Sequence, residues 1–343
     1  MKATVFHEHG DIQVLRVEDI AQPTPGPGDV LVKVQACGVN RLDVYSRTGR
    51  TKVAPMPHIS GSEVAGEIVA LGQAVGGLKV GQAVVVAPYL FCGQCEFCRS
   101  GEEVICLKGD IVGLGSQGGY AEYISVPASS IVPRPDNVDA VSAAAVGLSA
   151  ITAWHMLTRK APLQPGQDVL VQAGGSGVGS AAIQIAKLAG ARVITTVSNE
   201  EKRAKALELG ADEVINYREQ DFLQEVRHLT GKRGVNVVVE HVGPDTWEKS
   251  VACLARKGRL VTCGATSGNE SKINLWNLFA KEQTLIGSYG GTRQDLADLL
   301  KLVARRQFIP VVDSTYTLKQ IGHAQQRMER RENFGKLIVT PSV

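Results

Sequence analysis

DVLVQAGGSGVGSAAIQIAKLAG, residues 168–190, is the stretch that decides the fold. Residues 168–173 are apolar and β-branched, as in a strand buried on both faces. From Val178 the apolar residues take up a helical period that ends at Gly190. Between the two lie Gly174, Gly175, Gly177 and Gly179. Glycines there allow a tight turn and let phosphate oxygens reach backbone amides, and the helix start adds about half a positive charge. Such a cluster can also serve plain helix–strand packing. Between a strand and a helix, inside a βαβ unit, it points to a dinucleotide.

Working outward, the same alternation continues downstream. ARVITTV (191–197), DEVINY, VNVVVEHVG, GRLVTCG and TLIGSY read as strands, with helices such as EEKRAKALELGA and DFLQEVRHLTG between them. Repeated βα units predict a parallel, doubly wound sheet with helices on both faces. Upstream, residues 1–130 read as short strands, among them DVLVKVQACGV (29–39) and SEVAGEIVAL (62–71), broken by Gly/Pro-rich turns. The pattern changes around PRPDNVDAVSAAAVGLSAITAWHML, where Asp136 or Asn137 can cap a helix that runs to about Leu157. The expected division is 1–130, 131–290 and a returning segment, 291–343.

Bulk properties narrow the function. A chain of 343 residues is long enough for two domains, and 44% hydrophobic with 21% charged residues is ordinary for a globular protein. The net charge of +3 is dispersed, with no basic run interleaved with aromatics, which argues against nucleic-acid binding. The N-terminus lacks the pattern of a signal peptide, and no run of eighteen apolar residues exists to span a membrane. Cys37, Cys253 and Cys263 are scattered singly, unlike a secreted disulfide framework, so the expected location is the cytoplasm.

The other four cysteines sit in FCGQCEFCRSGEEVIC, residues 91–106, spaced C-x2-C-x2-C-x7-C. Cys92, Cys95, Cys98 and Cys106 can supply the full tetrahedral complement of one structural zinc, a closed site with no position for substrate. An iron–sulfur cluster or redox disulfides are the other readings of four thiols, and nothing else in the chain points to electron transfer.

The dinucleotide's identity turns on the tip of the second strand, VITTVSNEEK. No carboxylate stands at Val197 or Ser198, while Lys202 and Arg203 follow on the next helix and Tyr217 ends the third strand. Small polar and basic groups suit a 2′-phosphate and favour NADPH. NADH stays open, because Glu200 or Glu201 could reach a ribose hydroxyl.

The cysteine spacing, the glycine turn and the domain order together resemble the zinc-type medium-chain dehydrogenase/reductase superfamily over essentially the whole chain. The resemblance implies a β-rich, GroES-like catalytic domain built from the N-terminal part and the tail, beside a Rossmann cofactor domain. Alcohol dehydrogenases of that family hold a catalytic zinc through a Cys, the His of a GHE motif, and a third Cys or Asp. Here Cys37 is matched to the first ligand, the motif reads Gly61-Ser62-Glu63, and the third position falls at about Leu148. His58 reads as a loop histidine. ACGVNRLDVYSRTG instead resembles the quinone oxidoreductase signature, as do VINYREQD and VGPDTWEKSVACLARKG, although most members of that branch lack the cysteine lobe.

The resemblance implies hydride transfer from NADPH to a quinone or α,β-unsaturated carbonyl, enoyl thioesters included, without catalytic zinc. A zinc alcohol dehydrogenase and a non-catalytic NADPH-binding protein are the alternatives. It makes Asn40 and Tyr45 the candidate catalytic residues, Asp43 and Arg47 a structural pair across one helical turn, Cys37 a packed thiol and Glu63 structural. It sets Ser176, Gly177 and Val178 under the pyrophosphate, and His241, Val242 and Gly243 near the nicotinamide ribose, with Cys263 and Gly264, then Ser288 and Tyr289, at the next strand ends. Lys336 either reaches the cofactor or lies at the surface. A homodimer or homotetramer is expected, with TLIGSY as the pairing edge, and a small molecule as the partner in catalysis.

Overall fold

The computed structural model describes residues 1–341, in two compact units. One comprises Met1–Ile151 with the stretch from Gly291 onward, and the other is Thr152–Gly290.

The Thr152–Gly290 unit is a six-stranded sheet. Across it run Glu213–Asn216, Arg192–Val197, Asp168–Val171, Val235–Glu240, Leu254–Thr262 and Thr284–Gly287, every pairing parallel. The central strands are apolar throughout because both faces are covered: Val169, Leu170 and Val171 are fully buried, as are Val237, Val238 and Val239. Strand order reverses between Asp168–Val171 and Val235–Glu240. Carboxyl ends on either side of such a reversal diverge and leave room for a ligand. This is the doubly wound Rossmann arrangement. The glycine turn and His241 both lie at that point, as continuations of the two strands.

The other unit is built around the strand Asp29–Val39. It pairs antiparallel with Glu63–Leu71, with Tyr123–Pro127 and with Lys336–Val339, and Lys336–Val339 in turn pairs with Val312–Tyr316. The tail therefore completes the sheet that the N-terminal part begins. Alternate residues Val30, Val32 and Val34 pack with Ile68, Val84, Leu337 and Val339 in one core.

The boundary between units differs from the sequence-based division. Ile131–Pro133 pairs with Ala83–Val86, and the helix Ala140–Ala144 packs on the strands Asp29–Val39 and Glu63–Leu71, so the first unit extends to Ile151. A three-residue strand is too short to show a period. The helix cap is Asp139, whose carboxylate accepts from Ser142 N at 2.9 Å, not Asp136 or Asn137. Asn137 instead donates its side-chain amide to Ala304 O at 2.8 Å. No helix among the described residues is long and apolar enough to cross a membrane.

Candidate active site

In the cysteine lobe, the sulfurs of Cys92, Cys95, Cys98 and Cys106 lie within 4.8 Å of one another. Neighbouring Sγ–Sγ distances are 3.9 Å (Cys92–Cys98), 3.5 Å (Cys95–Cys98) and 3.8 Å (Cys95–Cys106). A tetrahedron with zinc–sulfur bonds of about 2.3 Å has edges of about 3.8 Å, so the four thiols fit that ion. Backbone amides of Gln94 and Cys95 donate to Cys92 Sγ and lower its pKa, and those of Cys92 and Lys108 donate to Cys106 Sγ. Among the described residues this is the one group of three or more His, Cys, Asp or Glu placed to hold a metal. The lobe also ties down the tail, since Glu103 accepts from Arg293 N at 2.9 Å.

At the carboxyl edge of the Rossmann sheet, Ser176 N-caps the helix Gly177–Leu188 by accepting from Gly179 N at 2.9 Å. A Cβ on Gly179 would collide with the carbonyl of Ala173, so this helix can approach its strand closely. His241 Nε2 lies 3.3 Å from Ser176 Oγ and 3.0 Å from Gln172 O, and burial lowers its pKa. Thr262 Oγ1 donates to Gly264 O at 3.2 Å at the next strand end. Ser288 is buried with its hydroxyl unpaired, whereas Tyr289 is exposed.

Beneath these loops lies Glu240, which the sequence reading passed over. Its Oε1 accepts from the amides of His241 (2.9 Å), Val242 (2.6 Å) and Gly243 (3.2 Å). Its Oε2 accepts from Thr246 (2.9 Å) and Ser250 (2.7 Å). Ser250 accepts from Gln172, Gln172 accepts from Thr196, and Thr196 accepts from Ala173 N. One buried network thus shapes both the glycine turn and the 241–243 turn. A carboxylate at the end of an apolar strand was the available signal.

Ser198, Lys202 and Tyr217 are placed by the second and third strands and the helix between them. Ser198 and Tyr217 follow paired strand ends, Val197 opposite Asn216, and Lys202 lies in the first turn of the adjoining helix. Glu200 and Glu201 are largely exposed and pair with Arg203 (3.2 Å) and Lys205 (2.7 Å).

In the first unit, Asn40 caps the helix Arg41–Thr48 where the strand Asp29–Val39 ends. Asp43 accepts from Asn40 N (2.7 Å), Gly61 N (3.1 Å) and Tyr120 Oη (2.8 Å), and so fastens the exit of one strand to the entrance of the next. Burial pushes its carboxyl up to about 6 against those hydrogen bonds. Beside it stands a fully buried ion pair, Lys336 Nζ to Glu63 Oε2 at 2.6 Å. The ammonium also donates to Val39 O and to Asn40 Oδ1, each at 2.8 Å. Glu63 Oε1 accepts from the amides of Leu148 (2.7 Å) and Ser149 (2.8 Å), which holds the turn that interrupts the expected long helix. Asn40 Nδ2 and Ser62 Oγ are buried without partners.

This geometry corrects two expectations. Lys336 is not a surface lysine; it is 5% exposed and bound to Glu63 and Asn40. Asp43 and Arg47 do not pair, because Asp43 turns back as the cap of its own helix. Arg47 reaches Gln325 (2.7 Å), Gly10 O (3.1 Å) and Glu329 (3.0 Å). Cys37 is the packed thiol expected of it, buried beside Asp43, Glu63 and Lys336. Its sulfur is sealed where a Cβ on Gly61 or Gly119 would come within 2.8 Å or 3.0 Å, and burial raises its pKa. The residue that reaches the polar cluster from this strand is Asn40. Tyr45 makes no hydrogen bond to the cluster, and its ring carries the Arg50 guanidinium 4.3 Å from the centroid. His58 is held between carbonyls, with Nε2 at 3.0 Å from Gly113 O.

Residues 26–136 match the family model described as alcohol dehydrogenase GroES-like domain, and residues 177–305 match that described as zinc-binding dehydrogenase. The chain is 32% identical to an NAD-dependent alcohol dehydrogenase of Sulfolobus acidocaldarius, over 99% of each protein. It is 31% identical to a quinone oxidoreductase of Salmonella typhimurium, over 98% of each. A crystal structure of an NAD-dependent alcohol dehydrogenase superposes with a TM-score of 0.96 at 39% identity, covering 100% of both chains. A crotonyl-CoA carboxylase/reductase in complex with NADP superposes with a TM-score of 0.92 at 27% identity, covering 99% of this chain and 94% of that one.

Proposed function

Because the chain belongs to the medium-chain dehydrogenase/reductase superfamily, we propose that it is an NADPH-dependent reductase of quinones or α,β-unsaturated carbonyl compounds that works without a catalytic zinc. That it is an NAD(P)-dependent oxidoreductase of this type follows from its relatives. The observation that carries the finer reading is the cluster at Asn40. Of the three positions where a catalytic zinc would need ligands, Ser62 and Leu148 provide no thiolate, imidazole or carboxylate and Cys37 alone offers a sulfur, while among the described residues the cation paired with Glu63 is the Lys336 ammonium. A simple alcohol needs a Lewis acid to stabilise its alkoxide. A conjugated carbonyl does not, since charge spreads from the β-carbon onto oxygen.

When bound, the reduced nicotinamide supplies the hydride. As the new C–H bond forms at the β-carbon, the C=C pair shifts to join the α-carbon to the carbonyl carbon, the C=O pair moves onto oxygen to give an enolate, and a solvent proton completes the product at the α-carbon. The Ser176-capped helix start would hold the pyrophosphate, Glu240 would fix the turn that meets the nicotinamide ribose, and Ser198, Lys202 and Tyr217 would hold the 2′-phosphate. The NADP-bound crotonyl-CoA relative brings enoyl thioesters into the substrate range. The expected homodimer or homotetramer would use the open edge of Thr284–Gly287, preceded by the exposed Leu275, Trp276 and Phe279, and sedimentation of the full chain tests it.

The second reading, a zinc alcohol dehydrogenase, has the names of several relatives in its favour. Metal content and a substrate panel separate the two. The proposal expects one zinc per chain and NADPH oxidation by quinones or enones. Two zincs per chain, with chelator-sensitive oxidation of simple alcohols, would refute it.

A further inference from the structure

We infer that Asn40 Nδ2 and Ser62 Oγ form a two-donor cradle for the substrate's carbonyl oxygen, with Lys336 as the residue that positions Asn40. The inference rests on the reductase reading and names the groups that stand in for a metal there.

A buried donor left without an acceptor costs about 1–3 kcal/mol, and folded proteins rarely keep one. Two occur here on strand ends held by a single carboxylate, since Asp43 takes the amides of both Asn40 and Gly61, the residue before Ser62. Neither donor contributes to stability as it stands. Both become favourable when an acceptor oxygen arrives.

The direction in which Asn40 points is fixed by chemistry. An ammonium has donors and no acceptor, so the amide must turn its oxygen to Lys336 and its nitrogen away. Glu63 in turn holds Lys336 on the opposite side. The order of support is therefore Glu63, Lys336, Asn40, then substrate. Neutral donors are suited to an oxygen that gains charge as hydride adds to the β-carbon, and preorganised donors to such an oxygen are each worth about 10²–10³ in rate.

The test compares wild type with Asn40→Ala, Ser62→Ala, Lys336→Arg and the charge-neutral double variant Lys336→Met/Glu63→Gln, which avoids stranding a buried carboxylate. NADPH binding is followed by its fluorescence, and turnover with 2-cyclohexenone and 1,4-benzoquinone. Asn40→Ala and Ser62→Ala are each expected to lower kcat about 10²-fold, with NADPH affinity unchanged. The double variant should fold and bind NADPH but show the kcat loss of Asn40→Ala, with partial recovery in Lys336→Arg. 4-Nitrophenol bound to NADP⁺-loaded protein gives a readout apart from turnover. Wild type should favour its phenolate, and Asn40→Ala and Ser62→Ala should raise its apparent pKa. Active wild type whose Asn40 and Ser62 variants keep kcat within about twofold and leave nitrophenol ionisation unmoved would overturn the cradle and spare the reductase. A wild type that binds NADPH yet reduces no quinone or enone would overturn both.

Discussion

Glu240 is the residue whose loss should separate cofactor geometry from mere folding. Its carboxylate is fully buried and accepts five hydrogen bonds, three from the amides of residues 241–243 and two from the hydroxyls of Thr246 and Ser250. Glu240→Ala leaves three amides without their acceptor, at about 1–2 kcal/mol each. Thr246 already lies 3.3 Å from Gly243 O and can turn to it, and removing the carboxylate also removes its own desolvation cost. The net loss is about 3 kcal/mol. Glu240→Gln keeps one oxygen for the amides while its NH₂ faces two hydroxyls able to reorient, so about 1 kcal/mol is expected. All three tryptophans, Trp154, Trp247 and Trp276, belong to the nucleotide unit, so their fluorescence during urea unfolding reports that unit's stability. NADPH affinity should fall in the same order, Ala more than Gln, because the 241–243 turn loosens. A Glu240→Ala protein whose unfolding midpoint and NADPH affinity match wild type would refute the anchoring role.

Two other outcomes follow from the sites described. Cys95→Ser should remove zinc from the protein and lower its melting temperature or folding yield, with less effect on turnover per folded molecule, because a four-cysteine site has no open position for substrate; an equally stable zinc-free protein would count against it. Asp43, raised by burial from 3.8 to about 6, binds its proton more readily folded than unfolded. Its contribution to stability is full below pH of about 3.8 and is lost as pH rises through about 6. The stability of wild type relative to Asp43→Asn should therefore fall by up to about 3 kcal/mol between about pH 4 and 7. A flat difference would show that the carboxyl titrates normally.

What could be read from the sequence was what is local in it. The glycine turn, its flanking strand and helix, and the cysteine quartet each lie within about two dozen residues, where period and spacing carry the information. The Asn40–Lys336 contact joins residues 296 apart, so spacing gave no hint of it, and the same lysine seemed as well placed at the surface. Local reasoning also misassigned Asp43 and Arg47. Their four-residue spacing fits a helical ion pair, but the cap geometry and the distant helix Ile321–Glu329 supply better partners. Cys37 is legible as a packed thiol, but the two glycines that close around its sulfur, Gly61 and Gly119, lie 24 and 82 residues away and give no local signal.

The nucleotide unit, Thr152–Gly290, is an insertion between two halves of the other unit. During synthesis the inserted unit emerges while the sheet of the other unit still lacks two strands, Val312–Tyr316 and Lys336–Val339. Lys336–Val339 fills an interior place, between Val312–Tyr316 and Asp29–Val39. Until it arrives, the Cys37–Val39 end of the strand has no neighbour on that side, although Tyr123–Pro127 already covers Asp29–Lys33, and the Lys336–Glu63 ion pair is not yet made. The same late strand closes the sheet and delivers the lysine that orients Asn40. Without that strand the Lys336 contacts to Glu63 and Asn40 cannot form, so closure of the sheet and assembly of the cluster are one event.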